Sequence, residues 1–329
     1  MSLSRMDTKK IVIFRALQLG DLLCAIPAIR ALHKTYPAAE ITLVGLPWAK
    51  MLTQRFDKYF HSFISFPGYP GLPEQAPDFR SYPDFLKNVQ QQNFDLALQM
   101  QGKGAITNPL VQLFAAKKTA GFYKTGNYCP DKELFIPYPD RVHEIKRHLR
   151  LMEHLGVKSD STDLEFPVTA EDEEDFEKAQ LPVQPGEYII IHPGARSETR
   201  QWSPENFGAA ADYCIKKGLR AVITGTKDEK EIVQKVLKSM RHKAIDATGK
   251  TTLGAVAVLI KNAHGLISNC TGVAHIAAAL RTKSIVLTLH QEHGRWEPLN
   301  KTLHRAIGWT TNADYNDVIA EIDHIFFKN

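Results

Sequence analysis

Four short segments of this chain carry residue types that can do chemistry. The first runs Ile11-Val12-Ile13-Phe14-Arg15-Ala16-Leu17-Gln18-Leu19-Gly20-Asp21. It places one carboxylate where an apolar strand gives way to a helix. Such an Asp can cap the helix, worth about 1 kcal/mol, or take a proton from a substrate hydroxyl. The second is Gly265-Leu266-Ile267-Ser268-Asn269-Cys270-Thr271-Gly272-Val273-Ala274-His275. A helix that starts at Thr271-Gly272 offers unpaired N–H groups and a favourable dipole to an anion such as phosphate. Gly272 lets that anion approach the backbone. His275, one turn in, either reaches the same anion or is an ordinary satisfied helix residue. The third segment, from His192-Pro193-Gly194-Ala195-Arg196 to Arg200-Gln201-Trp202-Ser203-Pro204, holds two guanidiniums suited to a diphosphate. Its plain alternative is a surface loop with Ser203 capping the next helix and Pro204 at the first helical position. The fourth, Thr224-Gly225-Thr226-Lys227-Asp228-Glu229, is either a ribose-binding turn or a simple capped turn. A dinucleotide fingerprint G-x-G-x-x-G is absent at residues 16–21, which argues against NAD.

The elements that must position these segments alternate along the chain. Strand-like runs fall at 10–14, 40–46 and 95–99 in the first half and at 187–192, 219–224, 265–268 and 284–289 in the second. Helix-like periodicity covers 21–36, 82–92 and 142–155, then 205–217, 228–240, 253–262, 273–280 and 314–327. Gly156 is placed to end the third of these helices. Residues 66–83, rich in Pro, Gly and aromatics, read as a long loop. This alternation predicts parallel sheets built from βαβ units. A break is expected near 157–186, where Pro167, Pro182, Pro185 and Gly186 flank an acidic run. Ligands in such sheets bind beyond the carboxyl ends of the strands, and all four segments lie there.

At 329 residues, two domains are expected. No apolar run reaches the 18 residues of a membrane span, and the polar start of the chain does not read as a signal peptide. The four Cys (24, 129, 214 and 270) lie far apart without metal-like spacing, as expected of a reducing, cytoplasmic protein. The net charge of +5 is unevenly spread: residues 160–178 carry nine carboxylates against Lys178, which leaves +13 on the rest. A basic body suits an anionic partner or is simply a solvated surface. No nucleic-acid-binding motif is present.

Taken together, the ordered segments resemble glycosyltransferase family 9, the bacterial lipopolysaccharide heptosyltransferases, over nearly the whole chain. The resemblance rests on Gly20-Asp21 followed by Ile26-Pro27-Ala28, on Leu98-Gln99-Met100-Gln101-Gly102-Lys103, and on the helix from His143 through Arg147 to Leu155-Gly156. The His192-Pro193-Gly194 loop and Ser268-Asn269-Cys270-Thr271-Gly272 complete it. It implies an α/β chain of GT-B fold: two Rossmann-like doubly wound domains facing a central cleft. Residues 1–165 would bind the acceptor and 166–312 the nucleotide sugar, with 313–329 a terminal helix crossing back to the first domain. It also implies an inverting reaction without bound metal or other cofactor, an ADP-sugar donor, and an anionic lipid-linked glycan acceptor at the inner face of the membrane. Any membrane contact would be peripheral, through basic charge or apolar residues such as 63–69.

Carried over residue by residue, Asp21 is the catalytic base and Arg200, where the family usually has Lys, stabilises the leaving diphosphate. Arg196, Thr226, Lys227, Asp228, Cys270, Thr271, Gly272 and His275 fall on the donor side. Gly20, Gln101, Lys103, Lys124, Lys146 and Arg147 fall on the acceptor side. Cys270 replaces the family's usual Asp, and a thiol cannot stand in for a charged acceptor. Residues 290–296 also depart from the family's turn, with Gln291, Glu292 and His293 where a donor could be touched. A different nucleotide sugar, or a degenerate binding protein without turnover, therefore stays open beside the ADP-heptose reading.

Overall fold

The computed structural model describes residues 8–289, 294–309 and 315–328. The chain divides into two compact units, 1–163 and 164–329. In the first, the order is β1 (Lys10–Phe14), α1 (Leu19–Thr35), β2 (Glu40–Gly45), α2 (Lys50–Arg55), β3 (Ser62–Ser65), α3 (Tyr82–Gln91), β4 (Leu96–Gln99), α4 (Thr107–Gln112), β5 (Lys118–Tyr123), β6 (Phe135–Pro137) and α5 (Glu144–His154). Its sheet is parallel throughout, in the order β3-β2-β1-β4-β5-β6. β1 and β4 are apolar on both faces because helices cover both sides of such a sheet, and residues 11–14 and 96–98 have no exposed surface. The chain builds outward from β1 to β3, then returns to the other side of β1 with β4. The strand order therefore reverses between β1 and β4, which marks their carboxyl ends as the ligand crevice of this sheet.

The second unit repeats the plan: α6 (Ala170–Lys178), β7 (Tyr188–His192), α7 (Pro204–Lys216), β8 (Arg220–Ile223), α8 (Lys230–Ser239), β9 (Ile245–Asp246), α9 (Leu253–Lys261), β10 (Gly265–Asn269), α10 (Gly272–Leu280), β11 (Ser284–Leu289), β12 (His304–Trp309) and α11 (Tyr315–Ile322). Its parallel sheet runs β12-β11-β10-β7-β8-β9, and the reversal falls between β7 and β10. Both units are thus Rossmann-like and doubly wound.

The structure departs from the expected elements at several points. The acidic run is not a bare linker. Residues 170–178 form α6, where Thr169 and Asp172 exchange side-chain and backbone hydrogen bonds (2.8 and 3.3 Å), and carboxylates in a first helical turn favour the dipole. α6 packs on α9, with Glu173 3.3 Å from Lys261. β3, β6 and β9 have two to four residues each, too few for alternation to register. Of the residues 63–69 offered as a membrane contact, Ile64, Phe66, Pro67 and Gly68 are buried, and Phe63 and Tyr69 are half-buried. Phe66 is buried and packs edge-on against Phe14 and Phe85, at centroid distances of 5.1 and 5.7 Å, with Ile64 buried beside them.

Within the described residues, α11 and the wider turn that follows it (Asp323–Phe327) pack on the second unit's own core through Val318, Ile322, Ile325 and Phe326. Asp323 accepts from the Tyr213 hydroxyl (2.7 Å) and pairs with Lys217 (2.9 Å). No helix among the described residues is long and apolar enough to cross a membrane.

Candidate active site

In the first unit the site begins where β1 ends. Arg15 follows the last β1 residue, and its side chain is only 1% exposed. Its Nε and Nη2 both donate to the main-chain carbonyl of Asp21, at 2.9 and 2.7 Å. Nη1 donates to the Met100 carbonyl, and Nη2 also lies 3.4 Å from Glu144 Oε1. The Asp21 carboxylate stands 3.9 Å from the same guanidinium, its side chain 25% exposed. Asp21 is the third residue of α1, whose N-cap is Gln18. It is therefore not the capping residue, though a carboxylate in the first turn still favours the helix dipole. Gln101 Oε1 accepts from Ala16 N at 2.7 Å and so braces the turn between β1 and α1. Gln101 is itself held by a buried web in which Gln99 Nε2 bonds Thr107 Oγ1 and the Gln101 carbonyl. Gly104, with φ +87°, closes this loop where a side chain would overlap Asn108 and the Phe122 carbonyl.

Behind Asp21 lies a buried charge cluster on α5. His143 caps the helix by accepting from Ile145 N at 3.2 Å. Glu144, Arg147 and His148 are all at least 96% buried. Burial opposes ionisation of Glu144, yet the hydrogen bond from His148 and the flanking Arg15 and Arg147 hold its carboxyl well below the usual carboxylate range. Burial, helped by Arg15, pushes His148 down to about 4, so its imidazole is neutral near pH 7 and its Nε2 sits 3.2 Å from Glu144 Oε1.

This cluster includes or braces two of the acceptor-side candidates, Arg147 and Gln101. Arg147 is 1% exposed; its guanidinium bonds Glu144 and the Pro139 and Val142 carbonyls and stacks on Tyr138 at 4.4 Å. It is built into the core of the first unit. Gln101, 3% exposed, accepts from Ala16 N through its Oε1. Lys103 pairs with Asp140 and lies 5.6 Å from the Tyr138 ring. Lys124 and Lys146 are exposed, and Gly20 sits in the first turn of α1 beside Asp21.

In the second unit, three of the four segments meet at one end of the sheet. Asn269 closes β10, fully buried. Its Oδ1 accepts from Trp202 N at 3.0 Å and its Nδ2 donates to the Pro193 carbonyl at 2.7 Å. One side chain therefore ties both ends of the His-Pro-Gly loop to the start of α10. Trp202, 2% exposed, anchors that loop edge-on against Phe207, 5.1 Å between centroids. Asn269→Ala leaves two buried backbone groups unpaired and is expected to destabilise the protein by about 2–4 kcal/mol, measurable as a lowered urea midpoint at unchanged slope.

On the loop's other side is Glu229, the last residue of the fourth segment, to which no individual role was assigned from sequence. Its Oε2 accepts from Thr226 N at 2.8 Å and lies 3.9 Å from His192 Nε2, and it fills the space a side chain on Gly194 would need. His192 bonds Thr224 at 3.0 Å, and burial lowers its pKa against the pull of Glu229. The Thr226–Glu229 bond makes this a capped turn that also closes over the loop.

α10 starts at Gly272 with Thr271 as its N-cap. The Thr271 Oγ1 is buried with no hydrogen-bond partner among the described residues, and the first helical N–H groups have no intrahelical acceptor. His275 is 4% exposed with its ring 6.3 Å from that of Trp296; Cys270 Sγ lies 4.0 Å from the Trp296 carbonyl. Arg200 ends a short turn (Glu198–Arg200) and is half-buried, whereas Arg196, Lys227 and Asp228 are exposed. Gln291, Glu292 and His293 lie outside the described residues.

Comparison with known proteins bears on the family and the fold. The sequence model of Glycosyltransferase family 9 (heptosyltransferase) covers residues 84–317. Lipopolysaccharide heptosyltransferase 3 of Escherichia coli (strain K12) is 24% identical over 294 residues, 86% of this chain and 83% of that protein. Among solved structures, a family 9 glycosyl transferase from Veillonella parvula superposes with a TM-score of 0.79 at 18% identity, covering 99% of this chain and 100% of that one. The E. coli ADP-heptose lipopolysaccharide heptosyltransferase II superposes at 0.77, again at 18% identity, over 97% and 98%. The likeness in structure establishes the GT-B fold, and the family match covers about half of the first unit and most of the second. The chain, with its two Rossmann-like sheets and its Gly20-Asp21 and Thr271-Gly272 helix starts, belongs to glycosyltransferase family 9, the heptosyltransferases.

Proposed function

We propose that this glycosyltransferase is an inverting enzyme that moves a heptose from ADP-heptose onto a lipopolysaccharide core or related anionic glycan, with Asp21 as general base. The observation that carries the proposal is Asp21 itself: a partly exposed carboxylate in the first turn of α1, at the switch point of its sheet. Asp21 takes the proton of the acceptor hydroxyl as that oxygen bonds to the anomeric carbon. The bond from that carbon to the diphosphate breaks, and the nucleoside diphosphate leaves with the electron pair, so the anomeric configuration inverts. Arg200, Arg196, Lys227 and the Thr271–Gly272 helix start hold the diphosphate and stabilise its growing charge, which leaves no step that requires a metal. Lys103, Lys124 and Lys146 attract the anionic acceptor. The basic body of the chain suits work at an anionic inner-membrane surface.

Neutralising Arg200 is expected to weaken both ADP affinity and turnover, since its charge is used in the bound and the transition state alike. Calorimetric titration of Arg200→Ala with ADP checks this; an unaltered Kd would remove Arg200 from the donor site.

Cys270 favours a second reading. Where the family usually places a carboxylate, a thiol stands 4.0 Å from the Trp296 carbonyl. A changed donor, or binding without turnover, would follow from that loss. Titration with ADP, UDP and GDP decides between them. Selective ADP binding supports the ADP-heptose proposal, and selective UDP or GDP binding moves the donor. No binding at all favours the non-catalytic alternative.

A further inference from the structure

We propose that Arg15 is a positioning residue of the transfer reaction: it clamps the main chain of Asp21 and keeps a positive charge beside its carboxylate. This rests on the reading of Asp21 as base. Two hydrogen bonds from one guanidinium to the Asp21 carbonyl, one to Met100 and a contact with Glu144 join three segments: the first turn of α1, the loop after β4 and the first turn of α5. An Arg fork used on three sides cannot rotate, so the point from which the Asp21 side chain springs cannot move.

The charge balance points the same way. Arg15 and Arg147 bring two positive charges into a space with one carboxylate, Glu144, and one neutral imidazole, His148. Among the described residues this cluster holds one more buried cation than carboxylate, and an excess of buried charge is costly. The Asp21 carboxylate, 3.9 Å from Arg15 and 25% exposed, completes the balance. The outer pair Lys103–Asp140 is neutral in itself. The same groups thus lock the base and favour its proton-accepting form.

The test is a double-mutant cycle. Arg15→Lys keeps a charge next to Glu144 but cannot grip the Asp21 carbonyl through two N–H groups. With ADP-heptose and heptose-deficient lipopolysaccharide as probes, it is expected to lower kcat about tenfold or more. The ADP Kd should stay unchanged, because donor binding belongs to the second unit. In an Asp21→Asn background the same change should cost less than about twofold. Full loss in both backgrounds, or no loss in the first, overturns the inference while leaving Asp21 as base. A normal rate in Asp21→Asn alone overturns the base instead. A readout independent of turnover is the titration of the Asp21 carboxyl by carbon NMR, assigned by its absence in Asp21→Asn. Its midpoint should rise in Arg15→Gln, which removes the cation beside it, and stay near wild type in Arg15→Lys; an unmoved midpoint in Arg15→Gln refutes the proposal.

Discussion

Asp21→Asn is expected to lower kcat and kcat/KM together by about a hundredfold or more, with ADP affinity nearly intact. Asn has the shape of Asp, and Arg15 grips residue 21 through its main-chain carbonyl, so the clamp on α1 survives the change. What disappears is the basicity and the negative charge facing Arg15 at 3.9 Å. A loss confined to KM would instead mean that Asp21 only binds the acceptor, because uniform binding shifts KM and leaves kcat alone. Initial rates over a range of acceptor concentrations, with calorimetry on the same preparations, separate these outcomes. Unchanged turnover would remove Asp21 from the chemistry.

The largest effect on stability is expected at Glu144. Removing it as Glu144→Ala leaves Arg15 and Arg147 buried side by side without their shared carboxylate, and breaking a buried pair in this way costs about 3–5 kcal/mol. Urea unfolding at pH 7 checks the size, and Glu144→Gln, which keeps the shape but not the charge, should fall between wild type and Ala.

The same cluster predicts how stability depends on pH. His148 is held to about 4 in the fold against about 6.5 in an unfolded chain. Between those values the unfolded state binds a proton that the native state refuses, so stability falls as pH drops through that window. Glu144 is held below its unfolded value, so its contribution is present above about pH 4.3 and is lost as the pH falls further. His304, buried and likewise lowered to about 4, adds a slope of the same sign. The difference between wild type and His148→Gln isolates one residue. The variant should lose less stability than wild type between pH 6.5 and 4.5, and parallel curves would mean His148 is already charged in the fold.

Much of this architecture was legible in the one-dimensional pattern because it is set by local physics. Apolar β-branched runs such as 11–13 and 189–191 can only be buried strands, and helical periodicity follows each of them. Gly and small polar residues mark the turns at the carboxyl ends, where Asp21, Thr271 and Gly272 stand. The Ser203 cap and Pro204 start of α7 were equally local and are present, with Ser203 Oγ accepting from Asn206 N at 3.2 Å.

What the tertiary structure alone decided are the contacts between residues remote in sequence. Arg15 meets Glu144 across 129 positions, and Asn269 reaches Trp202 and Pro193 across 67 and 76. A motif names residue types, but whether an Arg such as Arg147 faces solvent or a buried carboxylate depends on which helix the sheet order brings beside it. The acidic run within the expected break at 157–186 showed no helix in its composition, because charge dominates it; α9 supplied the surface on which residues 170–178 pack as a helix of the second unit. The terminal segment showed its apolar face in sequence, while the choice of core to cover came from the second unit's packing around Val318 and Ile322. Periodicity encodes that a face is buried, and only the fold supplies the neighbour that buries it, since burial and charge pairing are properties of the pair and not of either residue.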